Sequence, residues 1–279
     1  MLNTIKMDLY RMFRTKSLYV IWIILAAVIL FTTYLCTLEM PNAEPSQTIS
    51  EEQTTSADTN IGMSIMIPTD SGKNVTLYDM FFANCQGKAL ALFFVIFSIL
   101  FATADLSSGY IKNIAGQIPN RSHLVLSKTV CLFLYTILSM LFFLVIQGLS
   151  NFVFLGCLEI GNTKTFALYF LIQTLLHFAL VLIVSTIAII LRNNVISMII
   201  GVCLCMNVTT VLYSGIDTLV RKAGIDSFHL LDYTVTGKIS TLPINLTTHD
   251  SAIAAIIAIA FSVTFTIVCS VIFTKKDIH

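Results

Sequence analysis

Six apolar runs divide this chain, near Leu18 to Leu38, Gln86 to Ala104, Thr129 to Ser150, Phe166 to Leu191, Val195 to Ser214 and Ser251 to Phe273. Each is close to the roughly 20 helical residues needed to cross a hydrocarbon core about 30 Å thick. None holds a Lys, Arg, Asp or Glu except Lys88, at the very start of the second. The runs are apolar all round rather than at every second place, which argues against barrel strands, so a helix is the way for each to satisfy its backbone in lipid. The pattern predicts an all-α polytopic membrane protein with six transmembrane helices, a single transmembrane domain over residues 1–279.

The segments between the runs carry their own patterns. Residues 1–17 place Leu2, Ile5, Leu9, Met12 and Phe13 on one helical face with Lys6 and Arg14 on the other, as expected of an interfacial helix that sets the entry angle of the first span. The first run is too long for the apolar region of a secretory signal, and the exit TLEMPNAEP offers no small-x-small cleavage site, so a retained anchor is expected. Residues 39–85 form a long polar loop, acidic at its start and of flexible composition in its first half. Arg192-Asn193-Asn194 allows only a tight antiparallel hairpin between spans four and five. Within residues 215–250, Ile216, Leu219, Val220 and Ala223, then Phe228, Leu230 and Leu231, predict short amphipathic helices at the membrane surface. No internal repeat is visible, which leaves the inverted-repeat plan of many secondary transporters without support.

One polar segment differs from the others. ATADLSSGYIKNIAGQIPNRSHLVLSK, residues 102 to 128, interrupts two apolar runs with Asp105, Lys112, Arg121 and Lys128. Its middle sets Ile111, Ile114, Ala115 and Ile118 on one helical face, with Lys112, Asn113 and Gln117 on the other. Such a helix, held between two spans, is suited to docking on a partner.

Composition and charge add class and orientation. Charged residues make up 11% of the chain, against about 25% in a soluble domain. Apolar types reach 56% at a mean hydropathy of +0.87, more apolar surface than a water-soluble fold can cover. With a cytoplasmic N-terminus, the inside segments hold Lys6, Arg11, Arg14, Lys16, Lys112, Arg121, Lys128, Arg192, Lys275 and Lys276. Outside then lie only Lys73, Lys88, Lys164, Arg221, Lys222 and Lys238. Both termini are therefore expected in the cytoplasm. The net charge of +1 hides this asymmetry.

Catalytic chemistry finds few candidates. Gly72-Lys73, Gly87-Lys88 and Gly237-Lys238 lack the upstream Gly and following Ser or Thr of a phosphate-binding loop. His123, His177, His229, His249 and His279 are scattered, without HExxH or a surrounding set of carboxylates, so no metal site is expected. The seven cysteines have no metal-ligand spacing; their odd number favours free thiols, with a Cys36–Cys85 bond left open. Polar residues inside the spans are Gln147, Gln173, His177, Asn207, Thr209, Thr210 and Tyr213. Two readings stand: interhelical hydrogen bonds, or a substrate path lined by Asn207, Thr210 and Tyr213. No enzyme activity is expected of this chain, no nucleic-acid partner, and no coupling of its own to protons or ions.

The interfacial segment IKMDLYRMFRTKSLY, the large first outer loop, the six spans and FATADLSSGYIKNIAGQIPNRSHLVLSK together resemble the permease subunits of bacterial type-2 ATP-binding-cassette (ABC) exporters. In that family the second span ends in an acidic residue followed by a Gly, a Lys, and an Arg leading to another Lys; Asp105, Gly109, Lys112, Arg121 and Lys128 match in order. An acidic-aromatic-basic run often found after that span is replaced by Asp105-Leu106-Ser107-Ser108. The resemblance implies that residues 105–128 are a cytoplasmic coupling segment, with Asp105, Gly109, Tyr110, Ile111, Lys112, Asn113, Ile114, Ile118 and Arg121 seated on a separate ATPase. It further implies two ATPase copies that bind the ATP and Mg, a second permease chain of the same or a sister kind, the bacterial cell membrane as location, and no cofactor in this chain. The substrate implied is amphipathic: an antimicrobial peptide, a lantibiotic or another hydrophobic compound. A membrane scaffold or sensor that binds a ligand through its outer loop is the alternative.

Overall fold

The computed structural model describes residues 2–39, 67–69, 74–107, 122–156, 158–222 and 229–275, with the backbone alone at 39, 105–107, 122 and 273–275. Its helices are α1 (Leu2–Arg14), α2 (Lys16–Glu39), α3 (Leu77–Gln86), α4 (Ala89–Ser107), α5 (Ser122–Leu155), α6 (Thr163–Leu191), α7 (Asn194–Cys205), α8 (Val208–Lys222), α9 (Val235–Thr241) and α10 (Thr248–Lys275), with a 3-10 turn at Leu230–Tyr233. No strand occurs among the described residues. Four helices are long and apolar enough to cross a membrane alone: α2, α5, α6 and α10. Two more spans arise if α3 with α4, bent by 58°, and α7 with α8, bent by 67°, each count as one. Among the described residues this is an all-helical architecture with four to six candidate membrane spans, as a helical membrane protein has.

The bundle is organised around α6. It packs against α10, α4, α5, α7 and α9, and its buried residues include Tyr169, Leu176, Ala179, Val181, Val184 and Ala188. Leu168 and Leu171, which remain exposed, are as apolar as the residues on the buried side, so no amphipathic stripe is visible between Thr163 and Leu191. α2 and α10 also keep large apolar side chains on the surface, Ile23 at 68% exposure and Ile256 at 66%, as lipid-facing helices do. α2 is tied to α5 through Trp22, which stacks on Phe142 at 5.0 Å and donates its indole N–H to Ser139 Oγ at 3.0 Å.

The hairpin between α6 and α7 forms as the three-residue connection requires. Arg192 ends α6 in the left-handed region at φ 54°, and the Asn193 side chain caps α7 by accepting from the N–H groups of Val195 and Ile196. α7 then lies against α4 so closely that a β-carbon at Gly201 would come within 2.5 Å of Val95 Cγ1.

Three features depart from the expected layout. The stretch 39–85 contains a helix, α3, nucleated by a capping box in which Thr76 and Asp79 satisfy each other's orphan groups. α3 is wrapped in rings: Phe81 meets Phe143, Phe166, Tyr169 and Phe170, and Tyr78 meets Phe166 and Tyr169. The fifth expected span, Val195 to Ser214, breaks at Met206-Asn207, and its continuation α8 runs on to Lys222 with Ile216, Leu219 and Val220, while Ala223 and Phe228 of the expected surface helices lie outside the described residues. In α1, Met12 and Asp8 face the protein, while Leu2, at 65% exposure, and Phe13, at 42%, remain outward. The apolar face is thus shared between α5 and the surroundings.

Candidate functional site

Both helix breaks occur at non-glycine residues in the left-handed region, Lys88 at φ 58° and Asn207 at φ 57°. Only a few per cent of non-glycine residues adopt such angles, and asparagine tolerates them best. The two strained residues meet: the Lys88 ammonium donates to Asn207 Oδ1. One broken span is thereby tied to the other at the two points where the chain changes direction.

The sequence sets Lys88 at the mouth of the second span among the outside charges. The structure buries it instead, at 2% exposure, with its ammonium turned to the Asn207 side chain at the other break. No carboxylate pairs with it among the described residues. Around it are the Cys205 thiol and the His177 imidazole, both within electrostatic reach of the ammonium and both fully buried. His177 Nδ1 lies 2.8 Å from the Gln173 carbonyl, which only accepts, so Nδ1 carries the hydrogen and a neutral ring presents a bare lone pair at Nε2. That Nε2 has no partner among the described residues, and neither do Gln173 Oε1, Tyr135 OH and Thr209 Oγ1. Phe94 separates two of these groups, in edge contact with both His177 and Tyr135. The Gln173 amide donates to Tyr169 OH at 2.9 Å and the Ile239 carbonyl at 3.3 Å, which carries the polar strip along α6 towards α9.

The three residues expected to line a substrate path stand at or just beyond this junction. Asn207 is the break itself; Thr210 lies in the first turn of α8, its N–H on the Asn207 carbonyl at 3.0 Å; Tyr213 bonds to Thr236 Oγ1 at 2.9 Å, joining α8 to α9. Of the three, Asn207 is the one that bonds to Lys88. Gly87-Lys88 opening an apolar run and Asn207 inside another are the marks a sequence offers, and neither says that the two residues touch.

A second constellation lies at the other end of α4. Lys128, in the first turns of α5, is 8% exposed; its ammonium donates to the Ala102 carbonyl at 3.1 Å and lies 5.6 Å from the centre of the Phe101 ring. One residue earlier, the Ser127 hydroxyl donates to the buried carboxylate of Asp8 in α1. Three helices, α1, α4 and α5, are thus fastened together at the base of the polar segment that joins α4 to α5. Beside this fastening is a small cavity of about 20 Å³, room for a single water, between Ala102, Val125, Lys128, Leu182, Thr266 and Cys269. Of the expected coupling residues, Asp105 lies in the last turn of α4, its side chain outside the described residues, and Gly109, Tyr110, Ile111, Lys112, Asn113, Ile114, Ile118 and Arg121 fall outside them altogether. The expected docking helix is therefore a reading of the sequence.

Compared with known families and curated proteins, the chain matches none.

Proposed function

We propose that this chain is the transmembrane subunit of an ATP-driven ABC exporter. It lies in the cell membrane with both termini in the cytoplasm and moves an amphipathic substrate, an antimicrobial peptide or lantibiotic among the candidates. A separate ATPase subunit, present in two copies, binds ATP and Mg and docks on residues 105–128; a second permease chain completes the pore. The observation that carries this reading is the amphipathic segment around Ile111, Ile114 and Ile118, set between two helices that Lys128 fastens at its base. A coupling element needs such a base: a push on a segment whose ends are fixed to each other moves α4 and α5 together instead of bending the connection. Asp8 extends the fastening to α1, so the interfacial helix travels with it. The strained contact between Lys88 and Asn207 fits a path that opens and closes between two broken spans, since strained backbone gathers at switching sites.

The reading is tested by a detergent pull-down of the tagged full-length chain from its native cells, with mass spectrometry of the recovered proteins. An ATPase with nucleotide-binding motifs is expected with the wild type and is expected to be lost from Ile111→Asp with Ile114→Asp. A folded, abundant chain that brings down no ATPase overturns the exporter reading and favours a scaffold or sensor.

A further inference from the structure

The junction of the two broken spans holds more positive character than it can use internally. Among the described residues, Lys88 contributes a buried ammonium whose one hydrogen-bond acceptor is the neutral Asn207 side chain, and no carboxylate answers its charge. Two helices begin at this point. The N–H groups of Ala89, Leu90 and Ala91 come before the first intrahelical bond of α4, from the Leu92 N–H to the Lys88 carbonyl. Those of Val208 and Thr209 come before the Thr210 N–H to Asn207 carbonyl bond that opens α8. The carbonyl ends of the preceding helices are better satisfied: Ala83 and Cys85 accept from the N–H groups of Gly87 and Lys88, and Val202 accepts from that of Met206. A buried ammonium beside the positive ends of two helix dipoles favours negative charge. Interrupted spans that aim helix N-termini at a central point are a recurring way to receive an anionic group within a membrane protein. Nearby, Thr209, two residues beyond Asn207, has a buried Oγ1 without a partner among the described residues, and so has His177 at Nε2, within electrostatic reach of the ammonium.

We propose that the Lys88–Asn207 junction binds the anionic head of an amphiphile, a carboxylate or a phosphate monoester whose apolar tail lies along the spans. The proposal rests on the exporter reading only in naming this amphiphile the cargo; binding itself requires no ATPase. The anion takes the place of Asn207 Oδ1 on the Lys88 ammonium, and Asn207 is released from Lys88 as it enters. Occupancy therefore loosens the contact between the two broken spans at their strained residues, and binding is coupled to opening.

The test uses the full-length chain in nanodiscs made of zwitterionic phosphatidylcholine, with palmitate, hexadecyl phosphate and the neutral 1-hexadecanol as probes and equilibrium binding of the radiolabelled compounds as readout. At least one of the two anions is expected to bind about tenfold or more tightly than the alcohol, as charge-assisted hydrogen bonds in a buried site require. Which anion binds identifies the head group, and displacement of hexadecyl phosphate by phosphatidic acid, which carries the same phosphate monoester, identifies a membrane lipid as the source. Lys88→Met, which removes an unpaired buried charge and so should still fold, is expected to abolish the preference for the anions, whereas Lys88→Arg retains it. Equal binding of anions and alcohol by the wild type overturns the proposal without recourse to any variant, and so does an undiminished anion preference in a monodisperse, helical Lys88→Met chain. Either result leaves recovery of the ATPase untouched, so a failure here is distinct from a failure of the exporter reading.

Discussion

Single residues carry much of the shape of this bundle. Asn193 turns α6 into α7 by accepting two N–H groups that nothing else satisfies, so Asn193→Ala should lower stability by about 1 kcal/mol, read as a fall in the thermal midpoint of the chain in detergent. Gly201 is under a different constraint, steric rather than polar. Its missing side chain lets α7 approach Val95 and Ile99 of α4, and Gly201→Val should cost about 1–3 kcal/mol in the same measurement and widen the gap between these helices. Lys88 was visible in the sequence as an odd charge at the edge of an apolar run, but its burial was not. The groups that meet it come from other helices, Asn207 at the second break and His177 in α6 among them, while Asp79 and Asn84 keep Leu77–Gln86 from standing out as part of a span. Asn207, Thr210 and Tyr213 stand out in the sequence because polar groups are conspicuous in an apolar run. The lysine that Asn207 meets lies 119 positions away in the chain, a separation no local pattern can bridge.

At the scale of elements, hydropathy gave the existence of the helices and missed their breaks. α2, α5, α6 and α10 follow from composition alone, since about 20 apolar residues have few other folds in lipid. The bends of 58° and 67° arise from one residue each leaving the right-handed region, and a window average over apolar residues is blind to that. The fastening at the base of the polar segment makes the clearest prediction here. Lys128→Met removes the bond to the Ala102 carbonyl and the contact with Phe101, so α4 and α5 no longer move as one. ATPase recovery in the pull-down should be unchanged, while substrate-dependent stimulation of ATP hydrolysis in the reconstituted complex should fall by about tenfold, the size of a coupling term. Equal loss of recovery and stimulation would make Lys128 part of the docking surface instead of the transmission.

For the whole molecule, the apolar surface of α2 and α10 suits a protein that sits in lipid, and a strip of buried polar atoms runs along α6. An exporter of this kind works in pairs, because closure of two ATPases around ATP must act on two permease chains. Native mass spectrometry of the complex released from nanodiscs should therefore find two permease chains with two ATPase chains, and a single permease bound to a single ATPase would contradict the paired arrangement. The central claim is that residues 105–128 touch an ATPase, and a photocrosslink tests it without disturbing the bundle. With a benzophenone side chain in place of Asn113, illumination of native membranes should join this chain to a protein bearing nucleotide-binding motifs, and Ile111→Asp with Ile114→Asp should abolish that product. Crosslinks to lipid alone, from a chain present at its normal level in the membrane, would contradict the account.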